Sequence, residues 1–124
     1  MSAIKILTVD DSRLSRRRFL SQPLKSAGYE VVEAENGQEG LSAFEAHQPD
    51  IVISDLLMPI MDGFQFVEEL RSRGESLPII VASADIQESS KARVEELNAF
   101  AFLNKPYKPE ELLDVVSQAV DALQ

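Results

Sequence analysis

The chain has no cysteine and no tryptophan, a single histidine, and no apolar run long enough to span a bilayer. Without cysteine, disulfides, thiolate metal sites and a cysteine nucleophile are excluded, which fits a reducing cytoplasm. His47 stands alone at the end of a helix-like stretch and reads as exposed and idle. Positive charge is scarce too: 12 Lys and Arg stand against 21 Asp and Glu, for a net charge of −9. Such a chain repels nucleic acid and anionic lipid, so neither is an expected direct partner. The one basic cluster, Arg13, Arg16, Arg17 and Arg18, reads first as a solvated helix face and second as a local docking patch. The opening apolar run meets Asp10 too soon to act as a secretory signal.

What remains is one ordinary domain, residues 1–124, with 44 % hydrophobic residues to fill a core. Strand-like runs fall at residues 4–9, 30–34, 51–54, 79–82 and 101–103. The first, third and fourth are almost continuous Ile, Val and Leu, as in strands buried on both faces. Helix-like stretches lie between them at 12–27, 38–47, 63 to just before Gly74, 87–97 and 109–123. Gly28 closes the first, in which Pro23 predicts a kink or a break. Asp62 is placed to cap the third, and Pro109 suits the first turn of the last. Strand and helix alternating in this way predict an α/β domain with a parallel sheet covered on both faces.

In such a sheet, functional groups gather beyond the C-terminal strand ends. There the sequence puts Asp10 and Asp11, then Asp55, then Ser83, Ala84 and Asp85, then Lys105 before Pro106. Each has an ordinary explanation alone: a capping acid, a turn hydroxyl, a surface lysine. Asp50 and Asp62 are read in that ordinary way. The set is different, because all its members converge on one rim. Clustered carboxylates repel unless a cation offsets them. An all-oxygen ligand set suits a hard cation such as Mg²⁺, which takes one or two carboxylates and keeps positions for waters and a phosphate oxygen. Asp55 can then act as a nucleophile toward phosphorus, with the metal and Lys105 neutralising charge on the transferred group.

These residues resemble the bacterial response-regulator receiver family, typified by the chemotaxis regulator. The matching features are Asp10-Asp11, the stretch Asp55-Leu56-Leu57-Met58-Pro59-Ile60-Met61-Asp62-Gly63, Ser83-Ala84 and Lys105-Pro106. The resemblance implies a stand-alone, flavodoxin-like doubly wound (β/α)5 fold with strand order 2-1-3-4-5. It makes Asp55 the phosphoacceptor, with Asp10, Asp11, Asp55 and the carbonyl of Leu57 holding Mg²⁺. Ser83 would bond a phosphoryl oxygen, Phe102 would be the switch aromatic, Lys105 would pair with the phosphoryl group, and the Lys105-Pro106 peptide would be cis. The implied donor is a phosphohistidine on a kinase or phosphotransfer protein. The implied output surface is the fourth helix, fifth strand and fifth helix, read by a downstream protein in the cytoplasm. On this reading the chain catalyses only its own phosphorylation and dephosphorylation.

Some positions depart from the family pattern. Ser83 stands in place of the usual Thr, Asn98 in place of Gly, and Phe100 and Ala101 at positions usually polar. Phe100 is an exposed partner contact or packs under the fourth helix. Leu57 and Asp85 flank the expected phosphoryl site, and together they predict slow phosphate loss. Three rivals are weaker. A flavodoxin-like redox protein needs a phosphate-cradling loop where Asp10-Asp11-Ser12-Arg13 stands. An aspartate-nucleophile phosphatase needs a second Asp where Leu57 stands. A pseudo-receiver, a phosphorylation-independent interaction module, has no need of the full acid, hydroxyl and ammonium set.

Overall fold

A computed structural model describes residues 3–84 and 87–123. Five parallel strands are ordered β2-β1-β3-β4-β5: β1 Lys5–Val9, β2 Glu30–Ala34, β3 Ile51–Ser54, β4 Ile79–Ser83 and β5 Ala101–Asn104. Helices alternate with them. Helix α1 runs through Arg13–Ser15, a π-helical stretch Arg16–Ser21, and Gln22–Ser26. The others are α2 Gly37–His47, α3 Gly63–Ser72, α4 Glu88–Glu96 and α5 Pro109–Ala122. The expected α/β fold and strand order are therefore observed. Among the described residues, no helix is long and apolar enough to cross a membrane.

The core divides as a two-faced sheet requires, because successive strand residues point to opposite sides. Ile6, Ile51, Ile53 and Ile80 pack with Leu20 and Leu24 of α1 and with Leu112 and Val116 of α5. Leu7, Val9, Val52 and Ile79 pack with Leu41 and Phe44 of α2 and with Phe66, Val67 and Leu70 of α3. Helix α4 is held differently. Among the described residues it places only Val94 in the buried part of a small third cluster, with Leu56 and Val81. Two cation–π contacts supplement it, Arg93 over Phe64 at 4.3 Å and Lys91 over Phe102 at 5.7 Å.

The structure refines one sequence expectation and overturns another, both in α1. Of the kink or break expected at Pro23, the break does not occur. The chain instead widens to π geometry just before it, with the Gln22 N–H reaching back to the Arg17 carbonyl. The proline ring crowds the carbonyl four residues behind it, and the looser turn makes room. The basic cluster is also not one solvated face: Arg13, Arg17 and Arg18 are exposed, but Arg16 is 5 % exposed.

Candidate acidic site at the carboxyl edge of the sheet

Register brings the site together. Val9 of β1 is paired with Ser54 of β3, so Asp10 and Asp55, one residue further along, lie side by side. The Asp55 N–H donates to the Val9 carbonyl (2.9 Å), and the Asp10 N–H to Ala34 of β2 (3.1 Å). On the other side Ser83 of β4 is paired with Asn104 of β5, and the Lys105 N–H donates to the Ser83 carbonyl (2.9 Å). Sheet hydrogen bonding therefore delivers two acids, a buried serine and a lysine to one edge.

The side chains then converge. The Lys105 Nζ donates to Asp10 Oδ2 and Asp55 Oδ2, each at 2.9 Å. Asp10 is 2 % exposed, and its Oδ1 accepts from the Ser12 N–H at 2.9 Å. Asp55 Oδ1 accepts from the N–H groups of Leu56 (2.7 Å) and Leu57 (3.4 Å). Burial opposes the charge on Lys105, but its bonds to Asp10 and Asp55 outweigh that and raise its pKa. In the groove that Tyr107 lines with Lys105, burial pushes the Tyr107 hydroxyl well above the usual phenol range, and the charges of Asp10 and Asp55 add to the effect. Asp11 is exposed, and carboxylate oxygens of Asp10, Asp11 and Asp55 lie within 4.8 Å of one another. Three acids against one ammonium leave uncompensated negative charge, and an all-oxygen donor set of this size fits a hard divalent cation.

Local sequence builds the loop after β3. Asp62 caps α3 by accepting from the Gln65 N–H (2.9 Å), while the Gln65 side chain accepts from the Asp62 N–H (3.1 Å), a capping box. Gly63 starts that helix so close to the strand end that a Cβ there would fall on the carbonyl oxygen of Asp55. Between them Ile60 has φ 69°, a left-handed conformation that strains a β-branched residue. Asn98 likewise has φ 59°, a conformation that asparagine tolerates. The Lys105-Pro106 peptide is cis.

The chain matches the response regulator receiver domain family over residues 6–117. It belongs to that family. Relatives of the receiver include a probable transcriptional regulator, ycf27, of Porphyridium aerugineum, 39 % identical over 90 % of this chain and 46 % of the relative. The response regulator MprA of Mycolicibacterium vanbaalenii is 41 % identical over 89 % of this chain and 47 % of its own. The receiver thus spans about half the length of these relatives. Among solved structures, chemotaxis response regulator CheY4 of Vibrio cholerae superposes with a TM-score of 0.86 at 35 % identity, covering 95 % of this chain and 99 % of that one. Receiver domains are signalling domains of two-component systems rather than enzymes of metabolism.

Of the residues expected at the site, Asp10, Asp11, Asp55 and Lys105 are brought together directly. Ser83 is fully buried at the neighbouring strand end. The Leu57 carbonyl belongs to the same loop as Asp55, and the Leu57 side chain is 64 % exposed at the rim. Phe102 is half-buried against the cluster of Leu56, Val81 and Val94. Asp85 lies outside the described residues. Asp50 accepts from the Lys5 N–H (2.9 Å) and Asp62 caps α3, so both have structural partners. Phe100 is an exposed large apolar residue. The sequence reading missed Arg16, which bonds both the Asp10 carbonyl and Glu33. Its signal was spacing: it stands four and eight residues before Leu20 and Leu24, on the buried stripe of the helix.

Proposed function

We propose that this receiver is a phosphorylation-dependent switch that takes a phosphoryl group from phosphohistidine onto Asp55. The observation that carries the reading is the Lys105 ammonium bridging Asp10 and Asp55 at 2.9 Å, with Asp11 alongside. Asp10, Asp11, Asp55 and the Leu57 carbonyl would hold Mg²⁺, which when bound supplies positive charge for the phosphoryl oxygens. The protein's own groups do the rest. The Leu56 and Leu57 N–H groups hold the Asp55 carboxylate in a fixed orientation. An Asp55 oxygen forms a bond to phosphorus as the phosphorus–nitrogen bond of the donor breaks. The donor imidazole leaves with that electron pair, and Lys105 neutralises charge on the transferred group.

Access for a donor protein is supported by an apolar groove of about 230 Å³ beside Lys105, lined by Ser15, Phe19, Ala84, Pro106 and Tyr107. Output is assigned to Ser83, Phe102 and the surface of α4, β5 and α5, read by a downstream protein in the cytoplasm. The slight apolar anchoring of α4 supports this, since a helix with one core residue is easily displaced. The net charge of −9 argues against direct contact of this unit with nucleic acid.

The test is incubation with Mg²⁺ and acetyl phosphate, read by intact mass. One phosphoryl adduct is expected, absent from Asp55→Asn. A chain that takes up no phosphoryl group under these conditions is a phosphorylation-independent interaction module instead.

A further inference from the structure

Arg16 is a buried cation whose two bonds point in different directions. Its Nη1 donates to the backbone carbonyl of Asp10 and its Nε to Glu33 Oε1 on β2, each at 2.6 Å. The ion pair with Glu33 is largely sheltered, with side chains 6 % and 26 % exposed. Stability alone is a poor reason for such a pair, because a well-packed apolar side chain in its place is often at least as stable. The location suggests a different role. The π-helical stretch opens at Arg16, and such stretches are frequent at functional sites.

The acceptor is the informative part. Asp10 is already fixed through its N–H, bonded to Ala34, and through both carboxylate oxygens, bonded to Ser12 and Lys105. Asp11 is not: its exposed carboxylate makes no hydrogen bond among the described residues. Its aim is set by its backbone. The Asp10 carbonyl and the Asp11 N–H belong to one rigid peptide plane, so holding the first orients the second. The forked, planar guanidinium offers separate N–H donors to that carbonyl and to the carboxylate on the neighbouring strand, in one fixed geometry that an ammonium lacks.

We propose that Arg16 is a positioning residue, clamping the Asp10–Asp11 peptide to Glu33 so that Asp11 is aimed at the divalent cation. The proposal rests on the cation site described above. Charge and positioning make opposite predictions here. A buried positive charge this close to the acids weakens cation binding by repulsion, so its removal would tighten binding if charge were its whole effect. If positioning dominates, its removal loosens binding.

The experiment is calorimetric titration of Mg²⁺ alone into the wild-type chain, Arg16→Met, Arg16→Lys and Glu33→Gln, each checked for native circular dichroism. Affinity should fall about ten-fold in Arg16→Met, as for other supports of metal ligands. Arg16→Lys, which keeps the charge and loses the fork, should fall nearly as far, and Glu33→Gln by about three-fold. Binding at wild-type strength or tighter in Arg16→Met, with Arg16→Lys unchanged, overturns the proposal. If neither Arg16 variant folds, unchanged affinity in Glu33→Gln overturns it and weakened affinity upholds it. A wild-type chain that takes up no Mg²⁺ removes the cation site and this proposal together, whereas wild-type binding matched by every variant removes the proposal alone.

Discussion

Lys105→Met is the most revealing single change, because the lysine and a divalent cation should offset the same charge. The methionine keeps most of the side-chain volume and removes the ammonium, leaving Asp10 and Asp55 facing each other without it. Breaking a buried ion pair from one side costs about 3–5 kcal/mol. Two features reduce that here. The Lys105 side chain is 22 % exposed, and both carboxylates keep backbone donors on their other oxygens. The expected loss without metal is therefore about 2–3 kcal/mol. For a domain of this size that lowers the melting temperature by about 8–12 °C. Thermal unfolding followed by circular dichroism, with chelator and then with millimolar Mg²⁺, measures both halves of the argument. A cation that binds only the folded state stabilises it by linkage. Mg²⁺ should therefore restore at least half of the loss and stabilise the variant more than the wild type. A loss below about 1 kcal/mol in chelator, or an equal Mg²⁺ gain in both proteins, would refute the idea that the two cations serve the same acids.

Three other predictions follow from the same structure. Gly63→Ala drives a methyl onto the Asp55 carbonyl, so it should destabilise the fold by about 3 kcal/mol and slow uptake of phosphoryl from acetyl phosphate, measured by chemical denaturation and intact mass. Burial raises the Glu33 pKa, but bonding and charge from Arg16 outweigh this and hold it below its ordinary value of 4.5. A depressed carboxylate stabilises the fold above its unfolded pKa and loses that contribution as pH falls through the folded one. The stability gap between wild type and Glu33→Gln, about 1 kcal/mol at neutral pH, should therefore close below pH 4.5 in denaturant titrations. Leu57→Asn places a polar group at the rim of the site, and phosphate should leave the variant a few-fold faster; equal lifetimes in a pulse-chase measurement would remove Leu57 from the control of hydrolysis.

The sequence by itself determined the alternation of apolar runs and helices, and with it a parallel sheet covered on both faces. It also determined which residues sit at the carboxyl edge, because in such a sheet chain position alone assigns a residue to that edge. Asp10, Asp11, Asp55, Ser83 and Lys105 were legible for that reason, and the cap at Asp62 because it depends on neighbours within one turn. Only the tertiary structure decided how these residues meet. The pairing of Val9 with Ser54 sets Asp10 beside Asp55, and two acids further than their own length apart would not have shared one ammonium. The partners of Arg16 were decided there too. An arginine in a basic cluster reads as solvated until the helix packs on the sheet, where the Asp10 carbonyl and the Glu33 carboxylate meet its fork. Local chemistry is written in adjacent residues; the partners of a long side chain are fixed only when distant strands come into register.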